Sequence, residues 1–158
     1  MISLILFLFH IAMHGTLRIT SPAFDANNMI PSKYTCTGQG INPEINISDI
    51  PAKTKTLALI MDDPDAPNGG FVHWVMYNIP VQSNINENSA PGTEGNNGKK
   101  ENKYAGPCPP SGTHHYHFKV YALDADLSLS GTVDKKVLEK AMEGHIVAKG
   151  ELIGLYKK

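Results

Sequence analysis

Two apolar runs joined by a stiff loop limit what this chain can fold into. Thr56 to Met61 (TLALIM) is continuously apolar, and Val72 to Ile79 (VHWVMYNI) is nearly so. An apolar run without polar alternates, bounded by turn residues, reads as a central strand buried on both faces. Between the two lie Pro64, Pro67 and Asn68-Gly69-Gly70. These residues enforce a loop and signal a hairpin, although the connection is longer than a two-residue turn. The chain must therefore bury at least one strongly apolar antiparallel pair.

The rest of the sequence is punctuated in the same way, with 14 glycines and 11 prolines, as a β-rich domain requires. Leu17 to Thr20 alternates and stops at Ser21-Pro22, which predicts a short first strand. Asp25 to Pro43 is rich in turn residues. Val81 to Lys103 is polar, glycine-rich and without period, a length that in a compact domain is functional or disordered. A rigid Gly106-to-Gly112 segment leads into a long strand, His114 to Leu123. Thr132 can cap a helix over about Val133 to Glu143, with Val137, Leu138, Ala141 and Met142 on one face. Gly144 suits the helix end, and Ile146 to Tyr156 reads as a closing strand. No internal repeat is visible. The sum is mainly β, most simply a two-sheet sandwich with Greek-key connections and one clear helix near the C-terminus.

The 158 residues fit one domain. The division predicted is an apolar segment at 1–13 and a single domain over 14–158. Ile2 to Met13 is too short to span a bilayer as a helix, which takes about 20 residues. It has the apolar core of a signal peptide but neither a basic start nor a small-x-small cleavage site. Alternatively, translation begins at Met13. A cytoplasmic location is expected, or an exported, periplasmic one if that segment acts as a signal. The formal charge is −1 and Arg18 is the only arginine, so the basic footprint of a nucleic-acid binder is missing. An anion bound here has to be held by dipoles, backbone N–H groups and histidines rather than by an arginine clamp. Cys36 and Cys108 form neither a disulfide scaffold nor a zinc motif.

Three segments concentrate unusual residues. Asp63 and Asp65 sit on the proline-locked loop beside a buried strand; taken alone they are ordinary turn caps, but Asp63 can also orient a neighbouring histidine. His73 and Trp74 lie in mid-strand, where period two puts them on opposite faces; taken alone they are structural and core residues. In His114-His115-Tyr116-His117-Phe118, alternation places His114, Tyr116 and Phe118 on one face and His115 and His117 on the other. His114 and Tyr116 offer two donors to one small ligand, and the glycine and prolines upstream leave backbone N–H groups in the manner of an anion nest. A metal pair of His115 and His117 competes with this reading, but no third ligand is obvious.

Taken together, Asp63-Pro-Asp-Ala-Pro67, His73-Trp74, Gly106-Pro-Cys-Pro-Pro-Ser-Gly112 and His114-His-Tyr116 resemble the motif set of the phosphatidylethanolamine-binding (Raf-kinase-inhibitor-like) family. The resemblance runs in order from about Leu17 to Tyr156. The short gap from Pro67 to His73, Tyr34-Thr-Cys36 and His-His-Tyr are similar to its bacterial and archaeal, YbhB/YbcL-type branch. It implies a sandwich of two antiparallel sheets with a small pocket for phosphate-like anions at one end. Asp63, His73, His114 and Tyr116 match the pocket residues, and Pro110, Cys108 and Gly106 match its wall. The sequence departs from the pattern where Cys36 is followed by Thr37-Gly38 rather than Asp-Gly, and where Asn42 precedes Pro43 in place of serine. If the resemblance holds, Cys36 and Cys108 border one pocket. The expectation is two separate thiols, with a bridge between them as the alternative.

The function expected is that of a non-enzymatic binding or regulatory protein for a small phosphate-bearing ligand or phosphorylated group. The alternatives are a histidine-dependent, metal-assisted hydrolase and a loop-mediated kinase or protease inhibitor. No nucleophile elbow, phosphate-cradling loop or complete metal triad is recognisable, so no catalytic residue, metal or cofactor is expected. The partners expected are the phosphate-bearing ligand, with a kinase or protease and a second copy of the chain as further options. Neither nucleic acid nor stable membrane insertion is expected.

Overall fold

In the computed structural model, residues 14–158 are described; the apolar segment at 1–13 lies outside them. The two apolar runs form the predicted hairpin, β4 (Thr56–Asp63) and β5 (Phe71–Pro80). All eight residues of β4 are buried, because a strand flanked on both sides and covered on both faces has no solvent-facing alternate. The chain reverses through a 3-10 turn at Pro67–Gly69. Asn68, Gly69 and Gly70 all take positive φ there (62°, 90° and 109°), which is the conformation that Asn-Gly-Gly supplies most cheaply.

The remaining strands are β1 (Gly15–Thr16), β2 (Arg18–Thr20), β3 (Ile45–Ser48), β6 (Asn84–Ile85), β7 (Thr93–Gly95), β8 (Thr113–Leu123) and β9 (Ile146–Lys157). Among the described residues they make one sheet in the order β1-β9-β8-β4-β5-β7 and a smaller one in the order β2-β3-β6. The pairing is antiparallel as expected, except that β1 runs parallel to β9 at the edge. The main core lies between the sheets: Leu57, Leu59, Met61, Trp74, Met76, Phe118 and Val120 from the large one meet Ile19, Ile45, Ile47 and Ile85 from the small one.

The helix α1 (Lys135–Met142) covers part of the outer face of the large sheet. Its cap is Asp134, whose carboxylate accepts the N–H of Val137, rather than Thr132. Leu138 and Met142 are buried and Ala141 packs beside them, but Val137 is 40% exposed. Leu138 and Met142 are a full turn apart, and Val137 is rotated about 100° off that line. The segment 81–103 is neither structureless nor loose: it contains β6, β7 and the buried Asn97. Its amide side chains carry local hydrogen bonds that no period reveals.

Leu59→Ala, in the middle of β4, is expected to cost about 2–5 kcal/mol in urea unfolding. Val137→Ala should change stability by less than about 0.5 kcal/mol. Similar losses in both would place Val137 in the core after all.

Candidate functional site

The strand ends around the β4–β5 turn carry the site, and an irregularity in their pairing builds it. Met61 pairs with Trp74 while the next residue, Asp62, pairs with Val72. One step on β4 is thus matched by two steps on β5, a bulge that absorbs His73. Strict alternation would send His73 and Trp74 to opposite faces. The bulge resets the phase, so that both turn toward the space between the sheets. Trp74 joins the main core, and the His73 ring lies edge-on to Tyr116 with centroids 5.2 Å apart. Phe71, paired with Asp63, packs on the other side of His73 at 4.8 Å.

Strand β8 behaves as its alternation predicts. His114, Tyr116 and Phe118 are buried, while His115 is exposed and His117 half-buried on the opposite face. Asp63 Oδ2 is hydrogen-bonded to His114 Nδ1 at 2.7 Å, and Asp63 Oδ1 accepts the N–H of Asp65 at 2.9 Å. Asp65 in turn accepts from the backbone N–H of His115 and meets its ring at 2.7 Å. The loop is therefore tied to both faces of β8. The His115 bond holds the Asp65 carboxyl below the usual carboxylate range.

A cavity of about 330 Å³ opens here, lined among others by Asp63, Phe71, His73, Lys99, Tyr116, Ala105, Gly106, Cys108, Pro109 and Pro110. Of the residues expected from the sequence, Asp63, His73, Tyr116, Gly106, Cys108 and Pro110 all line it. His114 does not, and reaches the cavity through Asp63. A larger space of about 520 Å³ shares Asp63 and Phe71, and is also lined by Asp62, Val72, Asn96, Asn97, Lys135 and Glu139 among others. Asp62 there is bound by Lys119 and Lys135. Burial opposes its ionisation, yet those two hydrogen bonds outweigh it and lower its pKa. That arrangement fastens α1 to the sheet.

Two buried groups in the smaller cavity retain hydrogen-bonding capacity. His73 Nδ1–H donates to the Ala105 carbonyl at 2.7 Å, which leaves Nε2 as the ring nitrogen free to meet a ligand. Burial lowers the pKa of His73; the Ala105 bond and Asp63 oppose the shift, and Lys99 adds to it. The Tyr116 hydroxyl is buried and makes no well-formed hydrogen bond. Burial, then the Asp63 charge, push its pKa well up, and the nearby Cys108 backbone only partly offsets them. It stays a protonated donor at any physiological pH.

The wall corrects one expectation. Cys36 and Cys108 are joined by a disulfide, with Cα atoms 5.4 Å apart, where separate thiols were expected. The two segments are brought together by bonds that the sequence hides: Cys36 N–H donates to the Pro107 carbonyl, and the Tyr104 hydroxyl donates to the Tyr34 carbonyl. Backbone donors in this wall are limited: Pro107, Pro109 and Pro110 have no N–H, and that of Ala105 is used by the His73 carbonyl, so among its lining residues only Gly106 and Cys108 could offer one. The two departures from the motif pattern have local roles. Thr37 is hydrogen-bonded to the Tyr156 hydroxyl. Asn42 donates to the Asn86 carbonyl and accepts from the Ser89 N–H. Lys99 was missed by sequence reasoning; the aperiodic segment marked the region but not the residue. His115 and His117 pair separately with Asp65 and Glu151, and among the described residues no group of three or more histidines, cysteines or carboxylates is placed to hold a metal.

The phosphatidylethanolamine-binding protein model matches residues 20–157. The chain belongs to this family. Among its relatives, a UPF0098 protein of Pyrococcus horikoshii is 46% identical over 154 residues, covering 90% of this chain and 77% of that protein. One from Chlamydia trachomatis is 44% identical over 149 residues, covering 90% and 99%. A crystal structure of a phosphatidylethanolamine-binding protein homologue from Chlamydia trachomatis superposes with a TM-score of 0.87 at 42% identity, over 91% of this chain and 99% of that one. Escherichia coli YbcL, described as a member of the mammalian family, superposes at 0.83 over the same shares. At 24% identity it speaks to the fold alone. Family membership supports a phosphatidylethanolamine-binding-protein-like binding protein.

Two outcomes follow from the site. His73 is buried with a lowered pKa, so the unfolded chain takes up its proton first as pH falls. Stability is lost as pH drops through about 6.5 and below. The stability difference between wild type and His73→Asn should shrink with falling pH over that range; a difference independent of pH would mean His73 titrates normally. For the disulfide, Cys36→Ser/Cys108→Ser should lose about 4 kcal/mol by the chain-entropy account of a 72-residue closure. Unchanged urea midpoints for oxidised wild type and variant would count against the bond.

Proposed function

We propose that this protein is a non-enzymatic binding or regulatory protein whose cavity at Asp63, His73 and Tyr116 takes a phosphate-like anion or a phosphorylated group. The observation that carries the reading is the Tyr116 hydroxyl, buried at a cavity wall with no acceptor for its proton; the nearby Cys108 backbone N–H can only donate to it. A buried donor left unsatisfied costs about 1–3 kcal/mol, and an acceptor in the cavity would recover it. His73 Nε2 is the second group facing that space, and becomes a second donor when the ring is protonated. Asp63 acts as the fixed element, engaged by His114 and the Asp65 N–H. His114 is a positioning residue rather than a donor to the anion, a refinement of the sequence expectation. The Cys36–Cys108 bond favours an oxidising, exported setting over the cytoplasm, where thiols are kept reduced.

Calorimetric titration with a simple phosphate ester tests this. Tyr116→Phe keeps the packing and removes only the donor, and should weaken binding about tenfold. Affinity should also rise as pH falls through and below the imidazole range, since binding favours protonated His73, provided the ester keeps its charge. An affinity equal in both proteins and flat between about pH 5 and 8 would remove the cavity from the account.

A further inference from the structure

Lys99 is the only lysine or arginine among the described residues that line the cavity. It is exposed, so its place at the rim depends on the turn that carries it, and that turn is firmly held. Buried Asn97 accepts the N–H groups of Lys99 and Glu101 on Oδ1, at 2.8 and 3.1 Å, and donates through Nδ2 to the Lys103 carbonyl. Its own N–H donates to the Glu101 carbonyl, and the Gly98 N–H to that of Val72. Gly98 lies flat against Phe71: a Cβ there would come within 2.5 Å of the ring. Phe71 in turn packs on His73. The turn, Phe71 and His73 thus pack in series, and the turn carries Lys99 to the cavity edge.

We propose that Lys99 is the charge-selecting residue of the cavity, and that the site prefers dianionic phosphomonoesters to phosphodiesters. The inference rests on the anion-binding reading above and narrows its ligand class. Three groups reach this space: the Lys99 ammonium, the Tyr116 hydroxyl and His73 Nε2. A phosphomonoester presents three terminal oxygens to them, whereas a diester presents two and half the charge. The rest of the wall is mostly apolar, with Ala66, Pro67, Phe71, Ala105, Pro109 and Pro110, and Asn68, Gly106 and Cys108 add only neutral polar groups. Dielectric screening there is weak, so the second negative charge is felt by Lys99, the only lysine or arginine among the described lining residues. The Asp63 carboxylate, the opposing charge, is engaged with His114 and the Asp65 N–H.

The test compares phenyl phosphate with methyl phenyl phosphate, two probes of similar size, by calorimetry at pH 8, where the monoester is a dianion. Wild type should bind the monoester about three- to tenfold more tightly, the range of a partly screened charge contact. Lys99→Gln should lose most of that preference through the monoester alone, and Lys99→Arg should retain it. Lys100→Gln, which alters a neighbouring lysine absent from the cavity lining, should behave as wild type. The preference should also shrink as salt is raised. Equal affinity for the two esters in wild type, or an unchanged preference in Lys99→Gln while Tyr116→Phe weakens both, overturns the charge selection and leaves the anion site standing. If neither ester binds, the anion reading and this inference fall together.

Discussion

The pairing of β4 with β5 holds one irregularity on which the site depends. Asp63 opposite Phe71 and Met61 opposite Trp74 are both ordinary antiparallel pairs, yet one more residue lies between them on β5 than on β4. That extra residue is His73. Without the bulge, a histidine between two aromatic residues would face the opposite side of the sheet from one of them. With it, Phe71, His73 and Trp74 crowd the same side, where Tyr116 and Asp63 already point. The cost of disrupting the ladder is offset by burying Trp74 completely and by the His73–Ala105 and Ala105–His73 hydrogen bonds that replace the lost pairing.

Much of the fold was legible because its strands are strongly patterned. The continuous apolar run of β4 required a central strand, and the strict alternation of β8 sorted His114, Tyr116 and Phe118 from His115 and His117. The candidate residues stood out for a different reason: they cluster in three short motifs whose joint resemblance to a family places them together, and the fold brings Asp63, His73 and Tyr116 to one cavity. What escaped is what periodicity does not encode. The His73 bulge is a register effect between two strands, invisible in either one. The Asn97 turn is built from side-chain-to-backbone bonds, which look like loop composition in the sequence. The disulfide depends on the convergence of two turn segments, which the spacing of the cysteines does not encode and which the resemblance left only as the alternative. The helix start was misplaced because threonine and aspartate are both good caps, and only the Asp134–Val137 bond decides between them.

The groups around the cavity divide the work of holding a site open. Asp63 is immobilised by two bonds, and the same loop reaches through Asp65 to the far face of β8. The opposite wall is rich in proline and is tied to the turn at residues 32–38 by the Cys36–Cys108 bond and the Cys36–Pro107 hydrogen bond. Two stiff walls thus face each other across a buried imidazole and a buried phenol, so a ligand entering there would require little ordering of the cavity. Burial disfavours the charged form of His73, and it keeps Tyr116 a protonated donor.

The most direct test of the account is a set of imidazole ¹H–¹⁵N spectra recorded during titration with inorganic phosphate. His73 should begin as the Nδ1–H tautomer that its bond to Ala105 requires. Its Nε2 signal should then move saturably as phosphate fills the cavity, while His115 and His145, held by surface carboxylates, stay in place. Saturable movement of His115 or His145 with an unmoved His73 would contradict the account, because phosphate would then bind the outer surface instead of the cavity that the bulge creates.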